Sequence, residues 1–232
     1  MGQGTIVVVN GTSGSGKTTA CELFARSADD FWLLFGIDQF IAGSFPRQFG
    51  HHGARASEGF EAVPLDPADP AGPMRWRFHD HALRAFATFH EWAASASRSG
   101  CNLIFDHILT ADPPVIQDLA WRMEGLPALL VTLKPPFEVL ERRVAERTMD
   151  RKLGGTPLDE ETAQRIRDRL SRLRPWFYEE VYANDIADLV IDTAAVPPED
   201  VVRLIGERLA AGPGHAFARL RAKYPRADCP AA

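Results

Sequence analysis

A glycine-rich segment near the start of the chain carries the clearest chemical signal in the sequence. Gly11, four further residues and then Gly16-Lys17-Thr18 follow an apolar run, Ile6 to Val9. This is the P-loop pattern in the strand, loop and helix context that it requires. Glycines let backbone N–H groups turn towards phosphate oxygens, and the N terminus of the next helix adds a favourable dipole. We expect the whole segment to bind the phosphates of a nucleoside triphosphate, through Gly11, Thr12, Ser13, Gly14, Ser15, Gly16, Lys17, Thr18 and Thr19.

Three side chains have the types and positions needed for phosphoryl transfer with ATP and Mg2+. Lys17 should reach the β- and γ-phosphates, and the Thr18 hydroxyl should ligate magnesium. Asp106 ends another apolar run, Asn102 to Phe105. A carboxylate at the end of a strand downstream of a P-loop fits the other protein position at the metal. An aspartate that merely caps a helix or turn is the alternative for Asp106.

Asp38 also closes an apolar run, Phe31 to Ile37, which we interpret as a buried strand. In doubly wound sheets, ligands bind beyond the carboxyl ends of the strands. Asp38 should therefore face the same crevice as the P-loop. The alternatives are a strand-end cap or a partner of a magnesium-bound water.

A run of arginines follows the apolar segment Leu126 to Leu133, which we expect to be the fourth strand. Arg143, Arg147 and Arg151 are spaced four apart, so they share one face wherever the helix persists. We interpret residues 141–157 as a mobile lid with Gly154-Gly155 as its hinge. Arg143 would then bind the nucleotide, while Arg147 and Arg151 would stabilise the transferred phosphoryl group. A solvated, salt-bridged helix surface is the alternative.

The elements around these residues alternate between strand and helix. This order predicts an α/β fold of the P-loop kinase type, with a parallel five-stranded sheet and helices on both faces. We expect a kinase domain at residues 1–211 and a C-terminal extension at 212–232. Residues 43–73, rich in proline and aromatic residues, should form a substrate-side excursion with one short hairpin.

Two helical stretches lead to specific expectations. Met74 to Ser97 has apolar residues three and four apart, which predicts one long helix. His79-Asp80-His81 lies near its start, but residues i and i+2 of a helix point apart, so a metal site is not favoured. A later helix, Leu158 to Leu173, should be interrupted at Pro175-Trp176.

Composition excludes several classes of partner. The formal charge of −5 and the pI near 5.8 argue against a general nucleic-acid surface. No apolar stretch approaches the roughly 20 residues of a membrane span. Three distant cysteines and a first strand close to residue 5 favour a reducing, cytoplasmic location without a signal peptide. We expect a small-molecule hydroxyl as acceptor, no nucleic-acid or membrane partner, and leave a homo-oligomer open.

The second apolar run resembles a known family. Phe31-Trp32-Leu33-Leu34-Phe35-Gly36-Ile37-Asp38, followed by Phe40-Ile41, is similar to a tryptophan–leucine, phenylalanine–glycine–valine–aspartate stretch of the chloramphenicol phosphotransferase family. The segments Asn102 to Asp106, Asp150-Arg151 and Asp188 to Thr193 look similar as well, so that the resemblance covers about residues 5–210.

The resemblance implies that ATP phosphorylates a hydroxyl of a small antibiotic or antibiotic-like compound. It also implies that Asp38 is the general base, a role that suits a carboxylate beside an attacking hydroxyl. One departure is Thr148-Met149-Asp150-Arg151, where the family has arginine–glycine–aspartate–arginine. Two alternatives stay open. A kinase of a nucleoside, nucleotide sugar or metabolite would need basic residues for any phosphorylated acceptor, for which Arg47 and Arg55 are the evident candidates; a nucleotide-switched binding module would need no base.

Overall fold

The computed structural model describes residues 2–51, 53–146 and 159–226. The strands in these parts of the chain are β1 (Ile6–Asn10), β2 (Trp32–Gly36), β3 (Phe60–Pro64), β4 (Met74–Phe78), β5 (Asn102–His107), β6 (Ala128–Leu133) and β7 (Leu189–Ile191). The helices are α1 (Lys17–Ser27), α2 (Ile37–Ser44), α3 (Asp80–Arg98), α4 (Val115–Arg122), α5 (Phe137–Ala145), α6 (Glu160–Tyr182), α7 (Pro198–Ala210) and α8 (Ala216–Lys223).

Five strands form a parallel sheet in the order β2-β5-β1-β6-β7, as the alternation of elements predicts. The central strand β1 is buried along its whole length. Successive side chains of a strand point to opposite faces, so Val7 and Val9 pack in the layer of α1 and α7. Ile6 and Val8 pack on the other face with α3, α4 and α8. Two helical layers therefore hold the sheet between them.

The second strand differs from the prediction. β2 ends at Gly36, and Asp38 lies in the first turn of α2 instead of closing a strand that runs to Ile37. β2 is also an edge strand and is only partly buried, with Leu34 40% exposed. An acidic side chain in a first helical turn is favoured by the helix dipole. The chain still delivers Asp38 to the carboxyl end of the sheet.

The predicted long helix from Met74 is wrong in its first five residues. Met74 to Phe78 form β4, which pairs antiparallel with β3, and α3 begins at Asp80. Met74, Trp76 and Phe78 alternate as a strand requires, but the spacing from Phe78 to Ala82 continues the helical stripe and conceals the boundary. The expected hairpin therefore extends past residue 73.

The helix that ends at Tyr182 is continuous, contrary to the predicted break at Pro175. Proline removes one helical hydrogen bond and disfavours the helix interior. Leu173, Trp176 and Val181 are almost fully buried, and this packing outweighs the local cost. After α7, α8 adds Ala216, Phe217 and Leu220 to the core on one face of the sheet.

Cys21 and Cys101 are free cysteines, while Cys229 lies outside the described residues. Within the described ranges, every helix is too short or too polar to cross a bilayer.

Candidate active site

The P-loop is the turn from β1 into α1, at residues 11–16. Gly14 and Gly16 have φ angles of 88° and 92°, a left-handed conformation that side chains other than glycine adopt rarely. Gly16 is the N-cap residue of α1, and no side chain caps this helix. The first-turn N–H groups are thus left for an anionic ligand.

The side chain of Lys17, the first residue of α1, points back to the P-loop. Its Nζ donates a hydrogen bond to the Thr12 carbonyl oxygen at 2.9 Å, and the side chain is 9% exposed. The same positive charge lowers the pKa of Asp106. Lys17 is therefore close to both the phosphate loop and the acidic end of β5.

Thr18 and Asp106 meet directly, as the two predicted metal positions require. The Thr18 Oγ1 donates to the Asp106 Oδ2 at 2.7 Å. Burial raises the pKa of Asp106 above its ordinary value, the charge of Lys17 and the Thr18 hydrogen bond oppose the rise, and the charge of Asp38 adds to it. Asp38 follows Gly36 by two residues, and Gly36 is opposite Asp106 in the β2–β5 register, so both aspartates lie at the same end of the sheet. Asp38 itself is exposed.

Gly36 makes room for the Asp106 carboxylate. The two residues are opposite each other in the β2–β5 register. A Cβ at Gly36 would lie 2.1 Å from Asp106 Oδ1, far inside van der Waals contact. Glycine is therefore required at position 36 of the Phe35-Gly36-Ile37-Asp38 segment for steric reasons. The sequence pattern alone does not reveal this requirement.

Arg143 braces the P-loop from outside. Its guanidinium donates to the Gly14 carbonyl oxygen at 3.3 Å and to the Oγ1 and carbonyl oxygen of Thr193 at 2.9 and 2.6 Å. The Thr193 Oγ1 in turn donates to the Ser15 carbonyl oxygen at 2.9 Å. The predicted lid arginines Arg147 and Arg151 lie outside the described residues.

Tyr182, at the end of α6, is a site residue that the sequence analysis missed. Its hydroxyl donates to the Leu133 carbonyl oxygen at 2.6 Å and accepts from the Thr12 N–H at 3.2 Å. Nearby, the Glu180 carboxylate accepts from the Asp112 N–H at 3.1 Å. The loops after β1, β5 and β6 are thus tied to one helix end. A tyrosine in a helical pattern gives no sequence signal for this role.

The donor set at Thr18 and Asp106 fits magnesium. A hydroxyl and a carboxylate are hard oxygen ligands, and Mg2+ takes few protein ligands because phosphates and waters complete its octahedron. Among the described residues, no group of three or more histidine, cysteine or acidic side chains forms a metal site. The residues present therefore suit a nucleotide-bound magnesium better than a metal held by protein ligands alone.

Comparison with known proteins agrees with this geometry. The model of the family described as chloramphenicol phosphotransferase-like protein matches residues 4–210. The chain belongs to the chloramphenicol phosphotransferase-like family. A Mycobacterium tuberculosis protein (strain H37Rv) that is named as a proposed O-phosphotransferase is 27% identical over 231 residues, which covers 97% of this chain and 91% of that protein. Family and P-loop together identify a P-loop phosphotransferase.

Solved structures confirm the fold. The Mycobacterium tuberculosis APS kinase, in complex with AMPPNP and APS, superposes with a TM-score of 0.54 at 15% identity and covers 90% of this chain and 99% of that one. A sugar kinase from a Janibacter species gives a TM-score of 0.50 at 19% identity, with 90% and 95% covered. At these identities the likeness establishes the kinase-type P-loop fold alone.

Proposed function

We propose that the protein transfers the γ-phosphoryl group of ATP to a hydroxyl group of a small molecule, with Asp38 as the general base. The observation that carries the proposal is the contact of 2.7 Å between Thr18 and Asp106, with the charges of Lys17 and Asp38 acting on the same carboxylate. A phosphate-binding loop, a metal position and a candidate base thereby share one end of the sheet.

The chain's own residues have separable tasks. The loop amides and Lys17 bind the β- and γ-phosphates, and Arg143 fixes the loop that supplies those amides. The acceptor oxygen forms a bond to the γ-phosphorus while the bond from that phosphorus to the bridging oxygen breaks. The electron pair of the broken bond leaves with ADP, and Asp38 takes the proton of the hydroxyl.

Thr18 and Asp106 would hold the magnesium ion, which neutralises charge on the phosphate oxygens when it is bound. The carboxylate form of Asp106 is needed for this, and Lys17 and Thr18 favour that form against the effect of burial. Chloramphenicol, after which the family is named, serves as a neutral member of a wider panel of hydroxylated antibiotics and metabolites that also includes anionic compounds.

The test is the Asp38→Asn variant with ATP and this panel, read by the mass gain of one phosphoryl group on the acceptor. We expect turnover to fall by about 10²- to 10⁴-fold, as for loss of a general base, with the dissociation constant for ATP retained. Asp30→Asn is the matched control, because Asp30 is an exposed aspartate that precedes β2. Parental turnover by Asp38→Asn on the true acceptor would remove Asp38 from the base role.

A further inference from the structure

The end of α6 contacts the P-loop, and the middle of α6 contacts the β3–β4 hairpin. Tyr182 fixes the end of α6 to the loop, and β4 packs against α6. The Arg172 guanidinium of α6 donates to the carbonyl oxygens of Pro70 and Gly72 in the hairpin turn, the latter at 2.8 Å. Arg172 lies ten residues before Tyr182, or about 15 Å along the helix. An acceptor that reaches the γ-phosphate would therefore extend between these two elements.

One face of the hairpin is committed to the core. Phe60 and Phe78 are paired across the strands, and both rings pack on Phe86 of α3. Phe86 in turn contacts His107, the residue after Asp106. Alternate residues of a strand point to opposite faces, so Arg75 projects from the face that does not pack on Phe86.

Arg75 of β4 has a buried polar atom that the described residues leave without a partner. Its Nε is fully buried and without a hydrogen-bond partner, and no ion pair holds its guanidinium within the described residues. Arg55, Arg122 and Arg203 by contrast each pair with a carboxylate. A buried polar atom without a hydrogen-bond partner is costly, and a ligand that supplies the missing acceptor atom would offset that cost.

The neighbouring face of α6 adds positive charge. Arg169 lies three residues before Arg172 and so on the same side of the helix. Burial lowers the pKa of the Arg169 guanidinium, which places it in partly desolvated surroundings. Guanidinium groups in such surroundings bind carboxylates and phosphates through paired hydrogen bonds.

We propose, on the basis of the phosphotransferase function above, that the acceptor carries an oxyanion group besides its reactive hydroxyl, and that Arg75 binds this group. The shared chemistry is that of a carboxylate or a phosphate monoester. The sequence analysis found only Arg47 and Arg55 for this purpose, because it assigned Met74 to Ser97 to one helix. With residues 74–78 in a strand, Arg75 instead faces away from the aromatic cluster and next to α6.

The first experiment uses acceptors in matched sets that share a carbon skeleton, such as glycerol, glycerate and glycerol 3-phosphate. Phosphoryl transfer is read by ADP release and by mass. We expect the anionic members of the true set to exceed the neutral alcohol by at least about tenfold in kcat/KM. Which of the two anions is preferred distinguishes a carboxylate from a phosphate. Equal turnover of the neutral alcohol would overturn the proposal.

The Arg75→Met variant keeps the apolar stem and removes the charge. We expect it to raise the KM for the anionic acceptor about 10- to 100-fold, with Arg75→Lys intermediate. Arg219→Met, a change of an exposed arginine in α8, is the matched control and should leave that KM unchanged. The unfolding midpoint of Arg75→Met should equal or exceed that of the parent, since a buried Nε atom without a partner is removed. A lowered midpoint with an unchanged KM would make Arg75 purely structural.

A binding measurement separates this proposal from the proposed function. With Mg2+ and AMPPNP saturating the P-loop, orthophosphate or citrate is titrated into the full chain by calorimetry. We expect the parent to bind one of these anions and Arg75→Met to lose at least about tenfold in affinity. Absence of transfer to any compound would refute the phosphotransferase function alone. Absence of anion binding, or equal binding by the variant, would refute the role of Arg75.

Discussion

Any side chain at position 36 would overlap the Asp106 carboxylate at the end of the sheet. The carboxylate oxygen occupies the space that any side chain at position 36 would need. Gly36 has φ −138° and ψ 153°, which every residue can adopt. The requirement for glycine is therefore purely steric and belongs to the metal position.

We predict that Gly36→Ala displaces the Asp106 carboxylate and weakens magnesium binding in the presence of ADP by about 10- to 100-fold, the range found when groups that orient a metal ligand are changed. Calorimetric titration of Mg2+ measures this. Gly43→Ala, where an added Cβ meets no atom within 4 Å, is the matched control. Equal magnesium affinity in the two variants would contradict the steric explanation.

Lys17, Thr18 and Asp106 could be predicted because a motif fixes their order and a parallel sheet brings its strand ends together. In the structure, Lys17 contacts the Thr12 carbonyl oxygen and Thr18 contacts Asp106, while the roles of these residues remain predictions. Tyr182 and Arg75 could not be predicted in the same way. Their roles depend on which element lies opposite them, and nothing in their local sequence encodes that partner.

At the scale of elements, two boundaries show how local patterns fail. The strand β4 and the helix α3 share an apolar spacing across Phe78 and Ala82, so periodicity alone joins them into one helix. In α6, the proline rule predicts an end at Pro175, but burial of Leu173 and Trp176 keeps the helix intact. Both errors concern elements that pack on β4 or include it, where tertiary packing overrides local preference.

The end of α6 should be coupled to the P-loop through one hydroxyl group. We predict that Tyr182→Phe lowers the free energy of unfolding by about 1–3 kcal/mol, since a buried carbonyl and a buried N–H lose their partner. The same variant should bind ADP more weakly. Denaturant unfolding and ADP titration test both effects.

Tyr178→Phe is the control for this change. Its ring packs edge-to-face on Phe137, and the part of the chain that the structure describes gives its hydroxyl no hydrogen-bond partner. Equal losses in Tyr178→Phe and Tyr182→Phe would show that the hydroxyl contacts of Tyr182 do not account for the effect, and would contradict the predicted coupling of α6 to the P-loop.

A buried pair of histidines, His90 of α3 and His107 of β5, connects these two elements to Asp118 of α4. The Ile108 N–H donates to His107 Nδ1 at 2.9 Å, so the proton of His107 is on Nε2 and is donated to His90 Nε2 at 3.0 Å. His90 Nδ1–H then donates to Asp118 at 2.6 Å. Burial lowers the pKa of both histidines, most strongly that of His107. The Asp118 carboxylate opposes this effect at His90, but the net direction at both rings favours the neutral form.

Because the unfolded chain binds protons that the folded chain excludes, stability falls as the pH drops below the ordinary histidine pKa of about 6.5. We predict a slope of up to about 1.4 kcal/mol per pH unit for each of the two histidines. Denaturant unfolding between pH 8 and pH 5 measures the slope. His90→Gln should make it shallower; an unchanged slope would refute the contribution of His90.

At the scale of the whole molecule, the family match and the folded unit have different ends. The family model stops at residue 210, whereas α8 begins at Ala216 and buries Phe217 and Leu220 against the sheet. Asp188 holds this helix in place, because its carboxylate accepts from the N–H groups of His215 and Ala216. The sequence analysis separated residues 212–232 from the kinase domain as a C-terminal extension, whereas α8 packs in the core of that domain.

We predict that Leu220→Ala lowers the free energy of unfolding by about 2–5 kcal/mol, as expected for a leucine removed from a packed core. Leu220 is 0% exposed, whereas Leu65, at the start of the hairpin turn, is 49% exposed. Leu65→Ala should therefore change stability by less than about 0.5 kcal/mol. If Leu220→Ala lowers the free energy of unfolding no more than Leu65→Ala does, α8 does not belong to the cooperative unit.

The position of α8 has a practical consequence for the choice of expression boundaries in this protein. A gene fragment that ends at residue 210 would lack α8, whose apolar side chains pack in the same cluster as Ala120, Met123 and Leu130. Such a product would expose a contiguous apolar surface to solvent, and we expect it to aggregate into inclusion bodies during expression. Shortened versions that fail in this way would say nothing about the chemistry of the phosphate loop.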